Sequence, residues 1–383
     1  MIPVRVKVVC IACSLLAGIV LAAEGRGVCV LPGVRTVVSD TNRFTCGSGS
    51  VACVSPDGKR LLIPYLASTN GFGECHDLTA IADVPLDQPG LAKSSVVLKA
   101  GDVFLGKTVA TTVSYASFLW KGRLRVMLDV NSDMYGYRDW NPDEKSVVGE
   151  GLFKCRYDGR TEVLSPRSIA AYLTARGLSG FNPFKEAGDR CIFQSKPVWK
   201  DGVLYGFVTS SSSQPILFRS ADGETLEFVG AIPSVCAYEC QLAAHKGHFY
   251  AVMRGAKGDN FWTSADGGVT WKGCGRVPDG LQRQQLMVWR DKVLIGFSAP
   301  NEKPCKVRDG RNNLHLLWGE GPDLVSYREL LHVVEPLGIV YPDLVNVRGE
   351  LHILWSNSER FPTHVKWGAV QGKDQLFHAK LPL

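Results

Sequence analysis

Leu242-Ala243-Ala244-His245-Lys246-Gly247-His248-Phe249-Tyr250-Ala251-Val252-Met253 reads as two short apolar strands around a polar Lys-Gly turn. Glycine takes positive φ without steric cost, so this pattern closes a tight hairpin. The same pattern recurs at Val51–Tyr65 (turn Pro56-Asp57-Gly58), Phe118–Leu128 (Lys121-Gly122) and Val198–Val208 (Lys200-Asp201-Gly202). It returns at Leu286–Phe297 (Arg290-Asp291-Lys292) and Leu344–Trp355 (Arg348-Gly349). One such hairpin is unspecific, but six in order form a repeat of roughly 60 residues, enough for a four-stranded blade with its loops. The sequence therefore predicts an all-β chain built as a six-bladed β-propeller. A β-sandwich would need no repeat.

A second signal lies beside the first. Ser264-Ala265-Asp266-Gly267-Gly268-Val269-Thr270-Trp271 fits the pattern S-x-D-x-G-x-T-W, in which the Asp and Gly close a hairpin and the Trp packs between blades. Ser220-Ala221-Asp222-Gly223-Glu224-Thr225 is a weaker copy. One segment, between about Tyr135 and Asp189, breaks the repeat. Pro166 to Arg176 within it is helix-compatible, with Ile169, Ala170, Leu173 and Thr174 on one face. This insertion is expected either over the mouth of the propeller or on the edge of a blade.

Composition agrees with a folded export product. The chain has 383 residues, 45% hydrophobic and 21% charged, with 40 Gly and 20 Pro to punctuate strands. A net charge of +6 with no basic run excludes a typical nucleic-acid binder. Arg5 and Lys7 precede an apolar run from Val8 to Ala23 that ends in small residues. This reads as a signal peptide over residues 1–23, leaving one domain over 24–383 and a secreted or periplasmic protein. The run is too short for an ordinary membrane anchor, and no later stretch could span a bilayer. Cys10 and Cys13 would leave with the signal, and the even number of cysteines that remains predicts several disulfides. No CxxC pair supports a zinc site.

Four local patterns resemble the sialidase (neuraminidase) superfamily. Glu239-Cys240-Gln241-Leu242 opens a hairpin that ends at Met253-Arg254, and Tyr341-Pro342-Asp343-Leu344 opens the last one. Arg311-Asn312-Asn313-Leu314-His315-Leu316 is similar to the family's Arg-x-x-Leu-x-Leu strand, with Arg308 as a substitute for Arg311. The fourth pattern departs from the family: there is no Arg-Ile-Pro before the first hairpin. Arg43 is the nearest replacement, Arg35 a poorer one, and the loop Thr69–Asp77 offers both Glu74 and Asp77 as acid/base.

The resemblance implies an exo-acting sialidase needing no metal or organic cofactor. Tyr341 would be the nucleophile, Glu239 its base, and Asp77 or Glu74 the acid/base. Arg254, Arg311 and Arg43 would grip the substrate carboxylate. The expected partner is a sialylated or other acidic glycan, and the expected state a monomer. The chemistry suits these residue types. Arg pairs a carboxylate bidentately and stays charged. A neutral phenol attacks a carbon bearing a carboxylate without the repulsion an Asp or Glu would meet, and Tyr-nucleophile sialidases depart from the two-carboxylate rule. A non-catalytic glycan-binding or interaction propeller, or a glycosidase or lyase for another acidic sugar, are the alternatives.

Overall fold

The computed structural model of the chain describes residues 28–29, 31–40, 44–46, 52–68, 77–88, 90, 92–178, 192–209, 211–237, 239–278, 283–299, 313–334, 338–356 and 374–383. All six hairpins form, and each opens one blade of a six-bladed propeller. The turn chemistry explains their shape. Lys121-Gly122, Asp201-Gly202, Lys246-Gly247, Arg290-Asp291 and Arg348-Gly349 all hold positive φ at both central positions. That is the type I′ geometry whose twist matches the flanking strands.

In blade one, Phe44–Cys46 and Cys53–Val54 both pair with Arg60–Ser68, and Leu78–Pro85 and Lys93–Lys99 follow. Blade two is Thr112–Trp120, Arg123–Val130, Met134–Asn141 and Ser146–Leu152. Blade three runs Val198–Lys200, Val203–Val208, Ile216–Ser220 and Thr225–Ala231 from the inside out. Blade four is Cys240–His245, His248–Met253, Phe261–Ser264 and Lys272–Gly273. Blade five is Gln285–Trp289, Lys292–Phe297, Asn313–Gly319 and Arg328–Val334, with Val28–Cys29 added in parallel outside. Blade six takes Val340–Val347, Glu350–Ser356 and Asp374–Lys380, and its outermost strand, Arg35–Asp40, comes from near the other end of the chain. Pairing of the two ends closes the ring.

The apolar residues gather in six seams between blades rather than one central core. Leu62, Ile81 and Leu98 of blade one meet Leu124, Val126 and Trp140 of blade two. Phe207 and Leu217 of blade three meet Leu242 and Phe249 of blade four. Trp289 and Leu294 of blade five meet Leu344 and Trp355 of blade six. Both S-x-D turns behave as structure. Asp266 accepts from Thr270 Oγ1 at 2.5 Å, Thr270 N at 3.0 Å and Ser264 Oγ at 2.8 Å, and these donors hold its carboxyl down at about 2. The Trp271 ring packs 5.8 Å from Phe207, across the seam to blade three. Asp222 likewise accepts from Thr225 N at 2.7 Å and Glu224 N at 2.9 Å.

Two expectations are corrected, the length of the insertion and the face that its helix buries. The insertion is shorter than the sequence suggested, because Met134–Asn141 and Ser146–Leu152 are the outer strands of blade two. The helix spans Pro166–Ala175 and buries Ser168, Ile169, Tyr172 and Leu173, while Thr174 is exposed. It packs on the outer edge of blade three, with Tyr172 4.9 Å from Phe228, and not over the mouth. The strands Lys154–Tyr157 and Arg160–Val163 extend that same edge. No disulfide joins Cys53, Cys155, Cys240 or Cys274 to one another among the described residues. Cys53, Cys155 and Cys240 lie on different strands and Cys274 follows Lys272–Gly273, and Cys155 and Cys240 are buried in separate seams. The remaining cysteines have no described side chain, and residues 1–23 lie outside the described residues. Among the described residues, no helix is long and apolar enough to cross a membrane.

Candidate active site at the propeller hub

Each innermost strand starts at one end of the central channel, and each second strand returns to it. Glu239 therefore precedes Cys240–His245, and Arg254 follows His248–Met253, at the same end of blade four. Tyr341 lies at the matching end of blade six. Its backbone is unusual. The ladder pairs Val340 with Ser356 and Asp343 with Leu354, so Tyr341 and Pro342 together oppose Trp355 alone. This is a β-bulge, a device that re-aims a side chain. Proline fits it, since the innermost strand is unpaired on its inner side and the bulge interrupts the ladder on the other. Tyr341 itself takes φ +48°, a left-handed conformation disfavoured for an aromatic residue.

The bulge brings the phenol to blade four. Arg254 Nη1 donates to Glu239 Oε2 at 2.7 Å and reaches Tyr341 Oη at 3.5 Å. Glu239 is 5% exposed, so its carboxylate is nearly dry and the ion pair is correspondingly strong. Residues 102 positions apart in the chain thus meet around one guanidinium.

Beneath this group lies a second polar layer. Asp343 is buried, accepts from Ala52 N at 3.0 Å, and faces Lys196 Nζ at 3.3 Å through both carboxylate oxygens. Burial pushes its carboxyl up, opposed by Lys196, Arg283 and the Ala52 amide. Arg283 is 3% exposed and stands just before the innermost strand of blade five. Gln241, also buried, donates to Gln194 O at 2.9 Å and accepts from Lys196 N at 3.4 Å. Below Lys196 the channel widens into a cavity of about 320 Å³ lined by Ala244, Val288, Val345 and Asn346.

Sequence reasoning missed this layer. Its signal was available: Gln241 and Asp343 lie two residues after Glu239 and Tyr341 in the chain. Lys196 and Arg283 each stand two residues before an innermost strand.

The other predicted residues are less complete. Asp77 is half-buried and immediately precedes Leu78–Pro85, which starts at the same end of the ring as Tyr341. Arg43, Glu74, Arg308 and Arg311 lie outside the described residues, although the strand after Arg311, Asn313–Gly319, also starts at that end. Arg35 is elsewhere, on the outer strand of blade six. It donates to His378 Nδ1 at 2.9 Å and to Pro85 O at 3.0 Å. One group of metal-type ligands exists among the described residues: His315, Glu329 and His332, on the outer strands of blade five. The two imidazoles stack 3.9 Å apart with planes 16° from parallel, so their in-plane lone pairs do not converge on one ion.

Comparison with known proteins rests on shape alone. The sequence matches no protein-family model and no curated protein. Among solved structures, the chain is similar to the Trypanosoma rangeli sialidase in complex with sialic acid, with TM-score 0.57 and 12% identity. The match covers 91% of this chain and 59% of that one, so the chain spans only about three-fifths of the trypanosomal protein. It is also similar to the NanB sialidase of Streptococcus pneumoniae in complex with 2-[(3-chlorobenzyl)ammonio]ethanesulfonate, with TM-score 0.53, 13% identity, and 92% and 70% coverage.

The fold is the sialidase propeller. On this fold, the Glu239–Arg254–Tyr341 group lies where the innermost strands of blades four and six begin. Among the described residues, the sialidase fold here carries a second cationic pair, Lys196 and Arg283, that the sequence pattern did not single out.

Proposed function

We propose that the protein is an exported, retaining exo-sialidase that releases terminal sialic acid from glycans, with Tyr341 as nucleophile. The observation that carries this reading is the guanidinium of Arg254 held between Glu239 and the Tyr341 hydroxyl. Free tyrosine titrates near 10, so the phenol needs a base to attack at neutral pH. Glu239 is that base. Arg254 orients both groups and takes the substrate carboxylate, with Arg311 and Arg43 as its partners. Asp77 or Glu74 protonates the leaving oxygen and then activates water for the second displacement. The similarity in shape to two sialidases supports this substrate class.

The test is turnover of a fluorogenic aryl sialoside by the native protein and by Tyr341→Phe. The variant should lose more than about a thousandfold in kcat with unchanged thermal unfolding. Equal turnover by both would remove the phenol from the reaction. Inhibitor binding without turnover by the native protein would favour a glycan-binding propeller.

A further inference from the structure

We infer that Lys196 is a positioning residue that sets the spacing between Glu239 and Tyr341 from one layer below, an inference that rests on the sialidase reading. The two reacting groups stand on different blades, bridged by the Arg254 side chain, and among the described residues no backbone hydrogen bond joins those blades. Something must fix their separation, because a displacement of about 1 Å can cost on the order of a hundredfold in rate. Blade three supplies it. Lys196 N–H donates to the side chain of Gln241, two residues after Glu239. Lys196 Nζ donates to Asp343, two residues after Tyr341, and to Leu344 O at 3.2 Å. Each anchored residue lies two positions along the chain from a reacting group, so holding Gln241 and Asp343 holds the backbone that leads to Glu239 and, through the bulge, to Tyr341.

Two further contacts keep the brace taut, and a strained turn of backbone lies beside it. Gln241 returns a hydrogen bond to Gln194 O, so blade three grips blade four at two points. Ala52 N–H fixes the second oxygen of Asp343 to blade one. The Tyr341 bulge, with its left-handed φ of +48°, lies directly between Val340 and the anchored Asp343. A strained conformation persists only where its surroundings over-determine it. Asp343 is the nearest anchor to it in the chain.

The experiment compares Lys196→Met and Lys196→Arg with the native protein by two readouts. The first is steady-state turnover of the aryl sialoside. The second is the ¹³Cζ resonance of Tyr341 in tyrosine-labelled protein, assigned with Tyr341→Phe, which needs no turnover. Lys196→Met should lower kcat about a hundredfold with KM changed less than about threefold, and should move the Tyr341 resonance. Lys196→Arg should recover part of both. Should Lys196→Met fail to fold, Gln241→Met removes the other arm without stranding a charge, and should lower kcat and move the resonance as well. Unchanged kcat and resonance in the variant that folds would overturn the inference. If the native protein does not turn over sialosides, the sialidase reading fails, and the resonance alone decides the role of Lys196.

Discussion

At the scale of single residues, the site depends on where Arg254 points. Its one Nη1 serves the Glu239 carboxylate and the Tyr341 hydroxyl. A lysine would keep the charge but lose the planar fork that can span those groups and still meet a substrate carboxylate. Hydrogen bonds to charged groups contribute about 1.5–3 kcal/mol. Arg254→Lys should therefore raise KM, or the dissociation constant of a sialic-acid-like inhibitor, by roughly 10- to 100-fold. Unchanged inhibitor affinity would place the carboxylate elsewhere. Glu239, Arg254 and Tyr341 were legible in the sequence because each adjoins a hairpin with its own pattern. Lys196 and Arg283 were not, because a lone cation before a strand carries no local signature. Their partners come from other blades, and only closure of the ring supplies them.

At the scale of elements, the hairpins were readable because a two-residue type I′ turn is a local decision, made by residues that tolerate positive φ. The helix at Pro166–Ala175 was readable as a helix, with Ser165 capping it through Ser168, but not in its orientation. Tyr172 is buried because Phe228 and Tyr157 stand there to receive it, a tertiary fact. The seam of blade six holds a further element-scale device. Arg35 Nε donates to His378 Nδ1, so a neutral His378 carries its proton on Nε2 and donates to His352 Nδ1 at 2.8 Å. Burial, helped by the Arg35 charge, pushes His378 down to about 3, and burial lowers His352 as well. Both folded values lie below the ordinary imidazole value of about 6.5, so the unfolded chain takes up these protons first as pH falls. This stabilisation is whole above about pH 6.5 and is lost as pH falls towards 3. His378→Gln keeps an acceptor for Arg35 and a donor for His352 without titrating. Its melting temperature should fall less steeply than that of the native protein between about pH 6.5 and pH 4. Parallel slopes would show that the pair does not govern acid stability.

At the scale of the whole molecule, six apolar seams hold a ring that neither end of the chain completes alone. Arg35–Asp40 pairs with Asp374–Lys380, while Val37 and Val38 pack in the same seam as Leu61 and Ile63. A chain lacking the residues up to Asp40 would open blade six and expose that seam. Its thermal unfolding should lose cooperativity, and native-like melting would show that the ring closes without the strand. The six-fold architecture was readable from repetition, whereas disulfides expected from cysteine count were not found among Cys53, Cys155, Cys240 and Cys274. A count carries no distance, and two thiols buried in different seams cannot meet. In the proposed reaction the anomeric carbon of sialic acid passes from the leaving oxygen to the Tyr341 oxygen. This transfer is tested most directly by incubating the protein with a 2,3-difluorinated sialic acid, which slows release of the glycosyl-enzyme, and mapping the adduct by peptide mass spectrometry. The account predicts the added mass on the peptide bearing Tyr341, absent in Tyr341→Phe. An adduct on another residue, or sialoside turnover with no adduct at all, would contradict it.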